Sequence, residues 1–456
     1  MPEYLSNGND VAMLAASASE RGIEGADVAE RPVKSILMAA GMSTRMKTAR
    51  SKVLHEVCGK PILGWVLDAC REAGIGRHLV IVGAMRDQIM DAYAKASDIT
   101  WVVQEPQRGT AHAVMAAEAS LADFDGDLVI IVGDAPLIRP ETIRTLLKIH
   151  HREDAAVTLI TAILDDPKWF GRILRDPAGN LRGIIEVKEA TPDELAIREV
   201  NPSYYCFRWP ALRAILPRIS NDNIKGEYYL TDAVGLLIEA GEKAVAVPAA
   251  EPEECEAVNS REDLALVASL MRRRILKAHM AAGVTIEDPA TTYVDADVEI
   301  GQDTVVGPCS VIRGPTRIGA GCRVGPLAHL RPGTVMEDGA EVGAFVETKN
   351  AHLGADVVAR HLAYLGDVTV GPGTNVGCGT ITANSDGRRK HHTQVGAGAF
   401  LGAGTILVAP TSVGDKATTG AGSVVTKSHP VPPGETYAGV PARPLARPEN
   451  QGEPPK

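Results

Sequence analysis

The first half of the chain alternates short apolar runs with amphipathic stretches between residues 34 and 260. The apolar runs read SILMAAG, HLVIVGA, DLVIIVGDAPL and AAVTLITAIL. Strands that alternate with helical patterns in this way are typical of α/β domains with a parallel sheet. The pattern therefore predicts one α/β domain over residues 34–260, built on a mostly parallel sheet.

A long helix is predicted to follow this domain. Residues 261–283 read REDLALVASLMRRRILKAHMAAG, with apolar positions at helical spacing and a glycine at the end. We therefore assign residues 261–285 to a linker helix. Its three consecutive arginines, 272–274, most simply form a solvated helix face, and a binding role is the alternative.

After residue 298 the apolar positions follow a strict six-residue period. They are Ile300, Val306, Ile312, Ile318, Val324, Leu330, Met336 and Val342, and after a slip in phase Val395, Leu401, Leu407 and Val413. Six residues is the period of a parallel β-helix, in which each short strand stacks on the equivalent strand of the preceding coil. The repeat predicts a β-helix over residues 286–445.

An insertion interrupts the repeat between Val376 and Val395. The intervening residues read GCGTITANSDGRRKHHTQ, a polar and basic stretch that does not fit the edge of a coil. Insertions in solenoids usually lie on the binding face. The segment is therefore either a flexible surface loop or a phosphate contact.

Length, charge and cysteine content limit the number of domains, the kind of partner and the cellular compartment. A chain of 456 residues exceeds one ordinary core, and its net charge of −10 argues against a nucleic-acid partner. The seven scattered cysteines show no zinc-binding spacing and favour a reduced, cytoplasmic compartment. No segment is apolar enough to span a bilayer, and residues 1–33 and 446–456 are predicted to be tails.

Two stretches of the first half carry candidate chemistry. The loop MAAGMSTRMKTARSKVL, 38–54, follows the first strand, at the sheet edge where α/β domains bind ligands. Gly41 allows close approach of an anion and Arg45 and Lys52 add positive charge, although neither common phosphate-loop pattern is present. The loop either binds phosphate or is a basic surface loop. Asp134 ends the strand DLVIIVG and is either a magnesium ligand or a cap.

Several segments occur in the order seen in sugar-1-phosphate nucleotidyltransferases. They read AAGxxTRM…KVLHEVCGKP, QEPQRGTAHAV, VGDAPL, GRI, IIEVKEAT and GEYYLTD. With the hexapeptide repeat behind them, the chain resembles the bacterial family that joins an N-acetylglucosamine-1-phosphate uridylyltransferase to a glucosamine-1-phosphate acetyltransferase. The resemblance implies a Rossmann-like nucleotidyltransferase domain, a connecting helix and a left-handed parallel β-helix.

The resemblance also implies two reactions. Acetyl-CoA would acetylate glucosamine-1-phosphate, and UTP would then convert N-acetylglucosamine-1-phosphate into the UDP-sugar, a cell-wall precursor, and pyrophosphate. It further implies Mg²⁺, a homotrimer, and neither nucleic acid nor a membrane as partner. One alternative is a uridylyltransferase whose β-helix is an inactive oligomerisation scaffold. A non-catalytic carbohydrate-binding protein fits less well, because Arg45, Lys52 and Asp134 together serve reaction chemistry better than plain binding.

The same resemblance assigns roles to residues of the first half. The UTP-binding residues would be Ala39, Ala40, Gly41, Arg45, Lys52, Gln104, Gly109 and Thr110, with Arg45 and Lys52 acting in catalysis. Gly171, Glu186 and Asn201 would bind the sugar phosphate, and Asp134 and Asn259 the magnesium. Two positions depart from the family: Ser51 replaces a frequent proline, and PSYYCF follows Asn201 where a small residue or threonine and then glycine are usual.

In the second half the resemblance makes His361 the general base. A histidine, with a pKa of about 6.5, can accept the proton that an ammonium must lose before it attacks a thioester. Glucosamine phosphate would contact Arg331, Lys349, Tyr364, Asn375 and Lys390, and acetyl-CoA would contact Cys378, Asn384, Ser385, Ala403 and Ala421. Glu347 would orient His361. Ser385 replaces a tyrosine and Ala403 a serine, which predicts altered substrate affinity.

Overall fold

The structure, a computed structural model, describes residues 31–445. The tails predicted at 1–33 and 446–456 therefore lie outside the described residues, apart from residues 31–33. Along the described part an α/β region comes first, then one long helix, then a series of short strands. None of the helices in residues 31–445 combines the length and the apolar character needed to cross a membrane.

A nine-stranded sheet forms the centre of the first half. The strands of this half are β1 (Val33–Ala39), β2 (Glu56–Val57), β3 (Lys60–Pro61), β4 (His78–Val82), β5 (Ile99–Val103), β6 (Asp127–Val132), β7 (Val157–Ile163), β8 (Gly171–Arg175), β9 (Leu181–Ile185), β10 (Glu199–Arg208) and β11 (Ala244–Pro248). The order is β11-β7-β10-β6-β1-β4-β5, with the β8–β9 hairpin attached to β10. Only β10 runs antiparallel to its neighbours β6 and β7 along this path, so the predicted mostly parallel sheet is confirmed.

Helices cover both faces of this sheet. They are α1 (Ile62–Glu72), α2 (Arg86–Ala92), α3 (Thr110–Ala116), α4 (Pro140–Glu153), α5 (Pro192–Leu195), α6 (Trp209–Ile215) and α7 (Thr231–Glu239). Successive strand residues point to opposite faces, so that Ile36 and Leu37 of β1 enter two different hydrophobic cores. Burial on both faces explains why the central strands read as continuous apolar runs.

The linker helix α8 runs from Arg261 to Ala281. The prediction that its arginine run forms one solvated face is wrong, because three successive residues of a helix point in different directions. Arg272 lies over the ring of Tyr293 at 4.2 Å, and Arg273 is exposed and pairs with Glu253. Arg274 turns inward and donates to the carbonyl oxygen of Leu137 at 2.8 Å.

The second half is a left-handed parallel β-helix, as predicted. Its strands are β12 (Thr285–Ile286), β13 (Tyr293–Val294), β14 (Val298–Ile300), β15 (Val305–Val306), β16 (Val311–Ile312), β17 (Thr316–Ile318), β18 (Arg323–Val324), β19 (His329–Leu330), β20 (Thr334–Met336), β21 (Glu341–Ala344), β22 (Glu347–Leu353), β23 (Val358–His361), β24 (Tyr364–Val370), β25 (Asn375–Val376), β26 (Ile381–Ala383), β27 (Thr393–Val395), β28 (Phe400–Leu401), β29 (Ile406–Val408), β30 (Thr411–Val413), β31 (Thr418–Thr419), β32 (Val424–Val425), β33 (Thr436–Ala438) and β34 (Arg443–Pro444). The first face begins with β12, β15 and β18. The second begins with β13 and the third with β14. The longer strands β22 and β24 run across the corner between these two faces and join them into one sheet.

The six-residue period is explained by coils of 18 residues with three faces each. Val306 pairs with Val324 and Val324 with Val342, both at a separation of 18. The predicted apolar positions point into one core, where all are buried except Ile300, which packs against it. The slip in phase arises where Glu341 pairs with Val358, a separation of 17.

The insertion is shorter than predicted. Ile381–Ala383 forms the regular strand β26, so that the segment after Val376 still follows the coil. The chain departs from the coil over residues 384–392, where Ser385 and Lys390 form an antiparallel bridge. These residues make a small hairpin, which lengthens the register between Thr369 and Gln394 to 25 residues.

The two halves touch at the β2–β3 hairpin. The N–H of Ala296 in the first coil donates to the carbonyl oxygen of Cys58 at 2.9 Å. Gly59 has a φ of +80°, and a Cβ there would press on the side chain of Asp295. This turn therefore favours glycine both for its backbone conformation and for the close approach of the β-helix.

Candidate active sites

The loop after β1 is folded back so that Lys52 faces the carboxyl edge of the sheet. Two short 3₁₀ turns, Thr44–Met46 and Lys52–Leu54, shape it, and Met46 anchors it in a hydrophobic cluster with Val258. The hydroxyl of Ser43 accepts the N–H of Lys52 at 3.0 Å. Local side-chain bonds of this kind fix a loop that has no regular ladder of its own.

Four predicted residues meet at this edge. The Nζ of Lys52 contacts Asp134 Oδ2 at 2.5 Å and Asn259 Oδ1 at 3.0 Å. The same Asn259 oxygen accepts from Arg45 Nη2 at 3.0 Å. The structure therefore brings both predicted catalytic cations together with both predicted metal ligands, although Asn259 lies more than 200 positions along the chain from Arg45 and Lys52.

The donor set at this edge suits a hard divalent cation. Asp134 and Asn259 both direct side-chain oxygens at one point, the ammonium of Lys52, and oxygen is the ligand that Mg²⁺ prefers. Across residues 31–445, no three side chains of the His, Cys, Asp and Glu types cluster to hold a metal. A cation between these two residues would therefore take its remaining ligands from water and substrate phosphates.

A cavity of about 260 Å³ opens beside this cluster. It is lined by most of the predicted UTP residues, namely Ala39, Ala40, Gly41, Lys52, Gln104, Gly109 and Thr110. Arg45 stands outside the lining and reaches the site through Asn259. Gly109 has a φ of +108°, and a Cβ there would overlap the backbone of Tyr228, so this wall of the cavity requires glycine.

Buried Gln104 sits in this wall with its amide fixed. Its Nε2 donates to the Gly109 carbonyl oxygen at 2.9 Å and lies 3.1 Å from His112 Nδ1. Burial, together with the nearby charge of Arg108, lowers the pKa of His112 and favours the neutral ring, which accepts a hydrogen bond from an amide. A fixed amide of this kind can read the polar edge of a nucleobase.

The three predicted sugar-binding residues also converge. Gly171 pairs with Asn201 between β8 and β10, and a Cβ on Gly171 would lie 3.8 Å from Glu186 Oε1. Thr231 donates to the same Glu186 oxygen at 3.2 Å. Asn201 donates through Nδ2 to the hydroxyl of Tyr205 at 2.5 Å, which fixes its amide within β10.

Further acidic side chains lie close to Glu186. Burial, together with the nearby carboxylates of Glu186 and Glu189, raises the pKa of Asp232 to about 6. Burial, assisted by Glu227, raises the pKa of Tyr229 to about 12. The region around Glu186 therefore presents acceptors and weak acids, which suit the hydroxyl groups of a sugar.

The second predicted site spans one corner of the β-helix. Tyr364 of β24 lies beside Glu347 of β22 in register, and Lys349 is two residues further along the same face. His361 ends β23 on the adjacent face, and Asn375 follows one coil later on that face. Within this single chain the predicted residues are thus divided between two faces.

Glu347 has a partner that the sequence did not predict. Its Oε1 accepts a hydrogen bond from Arg331 at 2.8 Å, and its expected role in orienting His361 stays a prediction. The two side chains stand on neighbouring coils of one face, where a cation and an anion attract directly. Tyr364 instead approaches Asn384: a Cβ on Gly366 would meet both the Tyr364 hydroxyl and the Asn384 amide nitrogen.

Three predicted acetyl-CoA residues occupy the same corner on successive coils. Gly404 donates to the Cys378 carbonyl oxygen at 2.7 Å, and Gly422 donates to that of Ala403 at 2.8 Å. Cys378, Ala403 and Ala421 are all exposed there. Small side chains leave the corner open on these three coils. The hairpin that carries Ser385 and Lys390 starts from Asn384, whose amide donates to Asp367 at 2.5 Å.

Sequence reasoning missed two glutamines that shape the first site. Gln107 donates to the Ala40 carbonyl oxygen at 2.6 Å and lines the cavity. Gln88 of α2 accepts the N–H of Ser51 at 2.9 Å and donates to the Ala49 carbonyl oxygen at 2.9 Å. Gln107 lies within the motif QEPQRGTAHAV, so the sequence indicated that it belongs to the site. Nothing in the sequence around Gln88 indicates a contact with the loop 38–54.

Comparison with known proteins covers both halves. The family described as MobA-like NTP transferase domain matches residues 35–189. A protein of Trichlorobacter lovleyi named Bifunctional protein GlmU is 42% identical over 429 residues, which cover 87% of this chain and 93% of the relative. Proteins of the same name from Pelobacter propionicus (40% over 432 residues, 87% and 94% covered) and Brevibacillus brevis (41% over 431 residues, 87% and 93% covered) are also similar.

Proposed function

This chain belongs to the family of bifunctional GlmU proteins, and from that premise we propose that its two halves catalyse consecutive steps. The β-helix transfers the acetyl group of acetyl-CoA to glucosamine-1-phosphate. The α/β domain then transfers a uridylyl group from UTP to N-acetylglucosamine-1-phosphate. The observation that supports the second step is the meeting of Arg45, Lys52, Asp134 and Asn259 beside the cavity.

In uridylyl transfer the protein mainly aligns two phosphates and compensates negative charge. A phosphate oxygen of the sugar attacks the α-phosphorus of UTP, and the bond to the β-phosphate breaks to release pyrophosphate. Arg45 and Lys52 stabilise the charge that collects on the leaving group. Gln104 and Gly109 hold the uracil, and Glu186 with Asn201 holds the sugar.

The family uses a divalent metal, and we assign it here to Mg²⁺ bound by Asp134 and Asn259. When bound it neutralises phosphate charge and orders the triphosphate. Lys52 contacts both of these residues. If Lys52 paired with the substrate phosphates instead, the Asp134 carboxylate and the Asn259 amide oxygen would be available to hold the ion.

In acetyl transfer His361 removes a proton from the ammonium of glucosamine-1-phosphate. The free amine attacks the thioester carbonyl and the carbon–sulfur bond breaks. The attacking nitrogen loses a proton as the amide forms and the departing thiolate gains one, so that coenzyme A leaves as the thiol. Arg331, Lys349 and Lys390 bind the sugar phosphate. Tyr364 and Asn375 line the pocket, and the open corner that carries Cys378, Ala403 and Ala421 accommodates coenzyme A.

We also assign a homotrimer to this protein. Three apolar side chains stand exposed on successive coils at the corner next to His361: Leu327, Phe345 and Leu362 are 43%, 59% and 58% exposed. Contact between copies would cover this row and would bring a second chain to a site whose residues are divided between two faces. The seven free thiols support the cytoplasm as the compartment.

Paired substitutions test the two-site proposal. Asp134→Ala should abolish Mg²⁺-dependent pyrophosphate release while thiol release from acetyl-CoA continues, because the two cores are separate. His361→Ala should have the opposite effect. Equal loss of both activities in either folded variant would contradict two independent sites. A wild-type protein that releases no thiol at any sugar concentration would instead support the uridylyltransferase with an inactive scaffold.

A further inference from the structure

The linker helix begins directly beside the first site. Ser260 is its N-cap, and Ser260 and Asp263 form a capping box: the Asp263 N–H donates to Ser260 Oγ at 3.2 Å, and the Ser260 N–H donates to Asp263 Oδ2 at 2.8 Å. The same Oδ2 atom accepts the N–H of Asn259 at 3.0 Å. An ordinary capping box provides acceptors for the N–H groups at the start of the helix alone. Here Asp263 also accepts the N–H of Asn259, the residue before the N-cap.

Asn259 is held from its other side as well. The N–H of Val258 donates to the Asp134 carbonyl oxygen at 2.9 Å. The backbone on both sides of Asn259 is therefore bonded, on one side to the strand end that carries Asp134 and on the other to the helix start. An asparagine side chain has only two rotatable bonds. The position of its backbone therefore largely decides where Oδ1 lies.

We propose that Asp263 is a positioning residue for the divalent metal of uridylyl transfer and acts through Asn259. This inference rests on the proposed function of the first site. Asp263 Oδ2 fixes the backbone of Asn259, which keeps its amide oxygen beside the Asp134 carboxylate. Loss of this anchor frees Asn259 to turn toward solvent, and one of the two protein ligands is then absent for part of the time.

Metal binding itself provides the test. The full-length protein with UTP is titrated with Mn²⁺, the probe ion, and free Mn²⁺ is followed by electron paramagnetic resonance. Asp263→Ala should weaken Mn²⁺ binding about tenfold, the effect of one to two hydrogen bonds. The half-saturating Mg²⁺ for pyrophosphate release should rise by a similar factor, while kcat at saturating Mg²⁺ and thiol release stay near wild type. Asp263→Asn retains an acceptor oxygen and should stay within about twofold.

Three matched variants separate positioning from simple helix stability. Ser260→Ala removes the N-cap but keeps the bond from Asn259 to Asp263, so it should lower thermal stability without changing Mn²⁺ affinity. Glu262→Ala removes the same charge from the same helix turn, and Glu194→Ala breaks the capping box of α5. Both should bind Mn²⁺ like the wild type.

Two outcomes would overturn the inference. One is wild-type Mn²⁺ affinity in folded Asp263→Ala, and the other is an equal loss of affinity in Ser260→Ala or Glu262→Ala. If Asp263→Ala does not fold, Asp263→Ser, whose side chain is too short to reach Asn259, carries the same expectation. A wild-type protein without uridylyl transfer would instead contradict the proposed function, so the two failures are distinguishable.

Discussion

At the scale of single residues, Ser51 shows how this chain replaces a rigid ring by a hydrogen bond. The residue is buried with φ −55° and ψ 136°, a conformation that proline also adopts. Its N–H, which proline lacks, is accepted by Gln88 at 2.9 Å. Gln88 therefore fixes the residue before Lys52 through a hydrogen bond, whereas proline would fix it through its own ring.

Gln88→Ala should accordingly raise the KM for UTP about two- to tenfold, the effect of losing one or two hydrogen bonds. In a Ser51→Pro background the same change should have a smaller effect, because the ring already fixes φ. Initial rates of pyrophosphate release for the four proteins of this double-mutant cycle give the comparison. An equal factor in both backgrounds would show that Gln88 does not act through Ser51.

Ser203 shows a second replacement, beside the predicted sugar-binding residue Asn201. It lies at a β-bulge in β10 with φ +67°, in the left-handed region that favours glycine. The resemblance places glycine in this segment, and the structure supplies the reason. The Ser203 N–H donates to Asn201 Oδ1 at 3.1 Å, so the strained turn also holds the amide of a predicted sugar ligand.

We expect Ser203→Gly to be more stable than Ser203→Ala by about 1 kcal/mol. Both variants lose the hydroxyl, but glycine alone removes the steric cost of the left-handed conformation. Urea unfolding followed by circular dichroism measures the difference. Equal midpoints for the two variants would mean that the backbone at Ser203 relaxes without strain.

Part of the first site follows from the sequence by a geometric rule. Lys52 and Asp134 come after two strands, β1 and β6, that end at the same sheet edge, so their proximity could be predicted. The contact between Ser51 and Gln88 spans 37 positions and joins a loop to an exposed helix residue. No periodicity marks such a pair, because Ser51 lies in an irregular loop and Gln88 is exposed on its helix.

At the scale of elements, the hairpin over residues 384–392 carries Ser385, which replaces the tyrosine of the family in the predicted second site. Its turn is fixed by Asp386, whose carboxylate accepts the N–H groups of Arg388 and Arg389 at 2.8 and 2.7 Å. Its pKa is held well below the usual range, first by a hydrogen bond from His391 and then by these N–H groups. The hairpin is thus ordered by its own residues.

Because the hairpin keeps its shape, restoring the family's aromatic residue should improve binding. Ser385→Tyr should lower the KM for glucosamine-1-phosphate about two- to tenfold, with the KM for acetyl-CoA measured alongside. Ser385→Phe separates the ring from the hydroxyl, since it adds the first without the second. If neither variant changes either KM in assays of thiol release, Ser385 does not contact the substrates.

The β-helix could be predicted in more detail than the α/β domain for a physical reason. Each hexapeptide sends one side chain into a single core, so that the period appears directly in the sequence. The extent of the insertion was harder to predict, because the strand Ile381–Ala383 buries its polar residue, Thr382, and leaves Ile381 exposed. The antiparallel direction of β10 also leaves no mark in composition, because that strand is buried on both faces like its parallel neighbours.

At the scale of the whole molecule, a row of three apolar side chains on the β-helix is exposed to solvent in the single chain. Leu327, Phe345 and Leu362 all have positive φ, which turns each side chain outward at the corner. The Phe345 N–H donates to the Leu327 carbonyl oxygen at 3.2 Å, so the row is continuous along the coil axis. A row of this kind on a soluble surface is typical of an interface.

Phe345→Asp should therefore dissociate the proposed homotrimer and abolish thiol release while pyrophosphate release persists. Aspartate tolerates a positive φ, so the coil itself should remain folded. Light scattering gives the mass, and Leu195→Asp, at an exposed apolar residue of the first half, is the control. A wild-type protein that is monomeric at working concentrations, or a trimeric and active Phe345→Asp, would contradict the assembly.

The coil register has a consequence for how this protein can diverge. Lengthening one coil from 18 to 25 residues adds only about 0.3 kcal/mol of chain-closure entropy, because that cost grows with the logarithm of loop length. The strands on either side keep their pairing, so the scaffold scarcely registers what the hairpin contains. Residues 384–392 can therefore change while the stacked coils stay unchanged, so the substrate contacts that we propose for this hairpin can evolve independently of the fold.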